Sequence, residues 1–167
     1  MAQISDRVNR LAASATFAML QKSNELSAQG VDVVNMSVGE PDFNTPDYVK
    51  KAAVEAVEQN YSKYSPVPGY MWLRKACADK LKRENGLDYA PAEILVSTGA
   101  KQSLCNVIMA IINPGDEVLL PSPCWVSYPE MVKLAGGVPV VIKAGIDQDF
   151  KVTAAQVEAA ITPKTKA

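Results

Sequence analysis

Ile94-Leu95-Val96-Ser97-Thr98-Gly99-Ala100-Lys101-Gln102 leads from a β-prone run through small residues into a helix-forming stretch. This reading sets the register of the residues after it. A strand at 94–97 is followed by a helix over 100–112, and Asn113-Pro114-Gly115-Asp116 is a turn. Val118-Leu119-Leu120 reads as a strand, about 127–135 as a helix, and Gly136-Gly137 as a turn. Val138 to Ile142 is the next strand, and about Thr153 to Ile161 the next helix. Strands alternating with helices through short turns predict an α/β layer with a largely parallel sheet.

Upstream the pattern is different. Residues 5–28 carry helix formers, with Gly30 as a stop, and Val31 to Met36 is a short β-prone run. Val38-Gly39-Glu40-Pro41-Asp42-Phe43-Asn44-Thr45-Pro46 is a loop. Thr45-Pro46 predicts a helix start, an N-cap followed by proline at the first helical position. That helix runs to about Gln59, with Val49, Ala52, Ala53, Ala56 and Val57 at helical spacing. A second loop, Tyr61 to Gly69, precedes a helix over about Tyr70 to Asn85 that Gly86 ends. Lys75–Asp79 and Lys80–Glu84 are i,i+4 pairs on its outer face. Residues 1–45 are expected to form an arm and edge segment outside the β/α alternation.

Composition narrows the chemistry. The chain has 167 residues, 17 basic and 18 acidic, and no histidine. Ser-His-Asp hydrolysis, Cys-His proteolysis and histidine metal sites are excluded within this chain. Its near-neutral charge argues against tracking nucleic-acid phosphates. Cys77, Cys105 and Cys124 show no C-x-x-C spacing, so neither a disulfide framework nor a metal site is expected. Free thiols suit a reducing cytoplasm. The start lacks the pattern of a signal peptide, and no apolar run approaches the ~20 residues that span a bilayer. A cytoplasmic protein without membrane or nucleic-acid partners is therefore expected.

Two stretches have the makings of a ligand site. At Ser97–Gln102 the small residues Gly99 and Ala100 let an anion approach the free N–H groups of a helix start. Lys101 puts a cation against the positive end of the helix dipole, which an anionic partner would offset. The alternative is a plain strand-to-helix turn with a solvated lysine. The run is neither G-x-G-x-x-G nor a P-loop, so no dinucleotide or nucleoside triphosphate is indicated. Pro121-Ser122-Pro123-Cys124-Trp125-Val126-Ser127-Tyr128-Pro129 follows a strand, on the side where open α/β sheets bind ligands. Trp125 suits stacking on a planar ring, or simple packing at a rim. Tyr61 and Tyr64 stand in a proline-glycine loop, where phenols serve as phosphate donors or as rim residues.

Five ordered segments together resemble the class I aminotransferases, nearest the bacterial-type aspartate aminotransferase subgroup. They are Val38 to Pro46, Tyr64 to Gly69 with Leu73-Arg74, Ser97 to Leu104, Asn113 to Val118 and Pro121 to Pro129, and the resemblance covers nearly the whole chain. It implies a fold-type I pyridoxal-phosphate enzyme, with 46–167 forming part of its cofactor-binding large domain behind the arm at 1–45. It implies transfer of an amino group between aspartate and 2-oxoglutarate, so amino-acid and 2-oxo-acid substrates, in a homodimer with shared active sites.

By position, the resemblance has the backbone of Gly99, Ala100 and Lys101 hold the cofactor phosphate and Trp125 stack on its ring. Tyr64 would reach the phosphate in the neighbouring subunit, and Gly39 the substrate α-carboxylate. Lys101 would also face the distal carboxylate of an acidic substrate, and the segment around Thr16 would fold over the site. The chain has Ala12 where some subgroup members that also accept prephenate carry a basic residue. The lysine that bonds to the cofactor, the carboxylate on its ring nitrogen and the substrate-binding arginine all follow the matched region in the family. So does an asparagine-proline motif.

No catalytic residue is therefore expected within this chain, whose end at Ala167 reads as a truncation before a core strand. A helix dipole contributes about 1–2 kcal/mol to anion binding, against about 4 kcal/mol for even a millimolar dissociation constant. The chain alone is expected to be inactive and to bind cofactor weakly. Other expectations remain: a non-catalytic fragment serving binding or dimerisation, or a related pyridoxal-phosphate enzyme such as a β-lyase or carbon–carbon ligase.

Overall fold

Val118 and Leu120 point to one side of a strand and are both buried, as the period of two requires. Their strand, β1, spans Glu117–Ser122 and pairs in parallel with β2, Val138–Lys143, in the register Val118 to Pro139 and Leu120 to Val141. The computed structural model describes residues 3–167. On the far edge of β1 the last residues run parallel to it. The Glu117 N–H donates to the Lys164 carbonyl, the Leu119 N–H to the Ala167 carbonyl and the Lys166 N–H to the Glu117 carbonyl, each at 2.8 Å. β1 is thus bonded along both edges.

The helices in chain order are α1 (Asp6–Asn9), α2 (Ala15–Ala28), α3 (Asp47–Glu58), α4 (Met71–Asn85), α5 (Gly99–Ile111), α6 (Ser127–Leu134) and α7 (Ala154–Ala160). The order from α5 through β1, α6, β2 and α7 matches the predicted β/α alternation. Val132 of α6 is fully buried, and with Ile112, Val118 and Leu120 it forms a core flanked by Ile108, Tyr128 and Ala135. α7 starts at a capping box: Thr153 Oγ1 accepts from the Gln156 N–H at 3.2 Å, and Gln156 Oε1 accepts from the Thr153 N–H at 2.8 Å.

The chain divides into two compact units, one of 1–39 with 101–167 and the other of 40–100. Among the described residues no helix is long and apolar enough to cross a membrane.

Local predictions failed at three places. Residues 94–97 are not a strand. The Val96 N–H donates to the Pro68 carbonyl at 3.0 Å, and Arg74 Nε donates to the Ile94 carbonyl at 2.9 Å. The Val96 N–H and the Ile94 carbonyl are taken by a loop and a guanidinium, so the run is extended without a ladder. Val31 to Met36 is not a strand either. The Asn35 side chain accepts from the Ser37 N–H at 3.0 Å and turns the chain. Thr45 does not cap α3, whose cap is Pro46; the first turn holds Asp47, which pairs with Lys50 at 3.0 Å. The outer pairs of α4 form as expected, Lys75–Asp79 at 2.7 Å and Lys80–Glu84 at 3.2 Å.

Candidate functional site

α5 opens at Gly99, which has φ +77°, a left-handed conformation that suits glycine. A Cβ added there would meet nothing within 4 Å, so the backbone of this turn faces open space. The Gly99 N–H donates to the Ser97 carbonyl at 2.9 Å. The Ser97 hydroxyl is buried and has no hydrogen-bond partner among the described residues. An unpaired buried hydroxyl is costly. The first turn of α5 holds no acidic residue.

Lys101, exposed in that same turn, extends over Trp125, with its ammonium 5.3 Å from the indole centroid. Trp125 sits in the loop between β1 and α6 and remains 42% exposed. The Tyr128 N–H donates to its carbonyl at 3.1 Å, which ties the loop into the start of α6. The Ser122–Pro123 peptide at the end of β1 is cis. The ammonium and the indole are 24 residues apart in sequence and meet because α5 and β1 deliver them to one place.

The other predicted residues take no part in this ring contact. Ala100 is exposed in the opening turn of α5. Thr16 is half-buried in the first turn of α2. Gly39 is exposed, and a Cβ there would meet nothing within 4 Å. Tyr64 is fully exposed on its loop.

Sequence reasoning passed over Glu130. Its Oε2 accepts from the Ala12 N–H at 2.8 Å, and its Oε1 accepts from Lys133 Nζ at 2.7 Å. These bonds hold the Glu130 carboxyl below its ordinary value, Lys133 first and the Ala12 N–H second. The sequence offered only an acidic residue in a first helical turn, which is common, and no sign of a partner 118 residues away.

Each unit suits one part of a phosphate-bearing aromatic cofactor: within 40–100 the open turn at Gly99 and the unpaired Ser97 hydroxyl suit an anion, and within the other unit the exposed Trp125 indole suits a flat ring.

The family model for aminotransferase class I and II matches residues 31–167. A probable aspartate/prephenate aminotransferase of Rhizobium leguminosarum bv. phaseoli is 54% identical over 166 residues, 99% of this chain and 42% of its own length. An aspartate aminotransferase of Bacillus sp. strain YM-2 is 50% identical over 164 residues, covering 98% of this chain and 42% of its own. The structure of Thermus thermophilus aspartate aminotransferase with maleate superposes with a TM-score of 0.94 at 49% identity, over 99% of this chain and 44% of that one. The chain therefore spans about 42% of the length of the curated relatives it matches. On the family match and on these relatives, whose likeness runs through the parallel ladder and the opening of α5 alike, the chain belongs to the class I and II aminotransferases.

Proposed function

We propose that the chain is the N-terminal part of an enzyme that moves an amino group between aspartate and 2-oxoglutarate through pyridoxal phosphate. The observation that carries this is the Lys101 ammonium 5.3 Å over the exposed Trp125 indole, at a helix start open to an anion. A second support is the relative's structure with maleate, a four-carbon dicarboxylate like aspartate.

The backbone N–H groups of Gly99, Ala100 and Lys101 would hold the cofactor phosphate, and the Trp125 indole would pack on the pyridine ring. Pyridoxal phosphate supplies an electron-withdrawing ring that takes up the charge left when the substrate Cα loses its proton. Gly39 would receive the substrate α-carboxylate through its backbone. Lys101 would bind the distal carboxylate, with Thr16 over the same site. The magnitudes permit that swing: an exposed cation–π contact contributes about 0.5–1 kcal/mol, and a charge-assisted hydrogen bond about 1.5–3 kcal/mol. Lys101 is then freed from the indole by an acidic substrate and kept on it otherwise.

Tyr64 would reach the phosphate of a second subunit, and its full exposure on its loop supports a homodimer. We assign residues 1–45 to an arm and 46–167 to part of the cofactor-binding large domain. The three free cysteines support a cytoplasmic setting. Residues 1–167 alone are proposed to be inactive, because the family's cofactor-bonding lysine lies beyond the matched region.

The test is steady-state kinetics of the full-length protein with aspartate, alanine, phenylalanine and prephenate as alternative substrates. Lys101→Ala is expected to raise the KM for aspartate about tenfold to a hundredfold, the factor of a lost charge-assisted hydrogen bond, and to leave alanine within about twofold. Equal losses with aspartate and alanine would remove Lys101 from the distal carboxylate. Absence of aspartate transamination in the unaltered protein would overturn the function.

A further inference from the structure

We propose that Glu130 is a positioning residue: its carboxylate ties the N-terminal arm at Ala12 onto α6 and so fixes the segment that carries Thr16. The proposal rests on the aminotransferase reading only for the role of Thr16.

Ala12 lies between α1 and α2, where helix geometry supplies no acceptor for its N–H. The Leu11 N–H still finds the Val8 carbonyl, and the Ala18 N–H finds the Ser14 carbonyl. The Ala12 N–H instead donates to Glu130 Oε2 at 2.8 Å. Glu130 is built for this task. It stands in the first turn of α6, where the helix dipole favours an anion. Lys133, three residues on, donates to the other oxygen at 2.7 Å, so both oxygens are engaged and the carboxylate keeps one orientation. The Glu130 side chain is 23% exposed, and its bond to the Ala12 N–H lies at the surface.

Beneath the arm lies a cleft of about 680 Å³, lined among others by Leu11, Pro123, Val126, Met131 and Val141. Apolar contacts of this kind are non-directional and do not set a register. The bond at Ala12 is directional and does. Thr16 comes four residues later, at the start of α2, so a shift at Ala12 moves it too.

The test uses the full-length protein and two readouts, amide hydrogen exchange over residues 12–18 and kinetics with aspartate. Glu130→Ala is expected to speed exchange in that segment at least about tenfold, the factor of a lost charge-assisted hydrogen bond, while β1 and β2 keep their protection. The KM for aspartate is expected to rise several-fold with kcat little changed. Glu130→Gln keeps an acceptor oxygen and is expected to restore most of the protection. Ala12→Pro removes the donor and leaves α6 untouched, so it decides the matter if Glu130→Ala does not fold. Its expected result is the same faster exchange at the first bonded amide of α2, Ala18, which donates to the Ser14 carbonyl.

Unchanged arm exchange in Glu130→Ala, or in Ala12→Pro where Glu130→Ala does not fold, overturns the tie. Faster exchange with an unchanged KM overturns the positioning of Thr16. If the unaltered protein proves not to transaminate aspartate, the function fails, and the exchange data still decide the tie.

Discussion

Residues 101–167 and residues 40–100 keep their structure by different means. In the first stretch a parallel ladder is covered by α6 and α7, and Ile112, Val118, Leu120, Val132, Ile142 and Ala144 are buried. In the second, among the described residues, Arg74 and Ala78 are the buried ones, while Tyr48, Val54, Val57, Trp72 and Leu95 are exposed. There the fastenings are individual: the Arg74 bond to the Ile94 carbonyl, the Val96 bond to the Pro68 carbonyl and the close approach of Val96 to Gly69. A core distributes its stabilisation over many weak contacts, whereas a fastening concentrates it in a few residues. Core substitutions should therefore have large effects in one stretch. Fastening substitutions should have moderate effects in the other, and its helix surface should matter little.

The largest expected effect comes from the core. Val132→Asp places a carboxylate where no surface is exposed and should destabilise the ladder by about 4 kcal/mol or more. Amide exchange over β1 and β2 in the full-length protein measures it, and retained protection there would refute the core as the holding element. Next comes Gly69→Ala. Gly69 has φ +97°, and an added Cβ would lie 2.8 Å from Val96 Cγ2. Backbone strain and overpacking together should cost about 2 kcal/mol, read as faster exchange of the Val96 amide. Lys75→Ala breaks the 2.7 Å pair with Asp79 on the face of α4, where both side chains are more than half exposed. The change should stay within about 0.5 kcal/mol. A larger loss in thermal unfolding would show that the surface of α4 carries more than its exposure suggests.

Local sequence was most legible where the physics is local. The alternation from α5 to α7 was predictable because helical periodicity, glycine stops and short turns each act within a few residues. The segment 94–97 shows the limit. Its β-prone residues do make an extended backbone, but which groups receive its hydrogen bonds depends on Pro68 and Arg74, 20 or more residues away. Val31 to Met36 fails for the same reason, since an extended run becomes a strand only beside another strand.

The site divides along the same line. Short runs of residues already specify the glycine-led opening of α5, the small residues at Gly99 and Ala100, the aromatic ring in the loop after β1 and, through the ordered motifs, the aminotransferase family. A short run carries its own backbone preference and side-chain chemistry, so these properties can be read without the fold. Three others came from the folded chain alone: the Lys101 ammonium lies over Trp125, the Ser97 hydroxyl is buried without a partner among the described residues, and Glu130 holds the Ala12 N–H. Each of these depends on burial or on a meeting of distant segments. Such pairings close long loops, and neither residue's immediate neighbours encode the other's position.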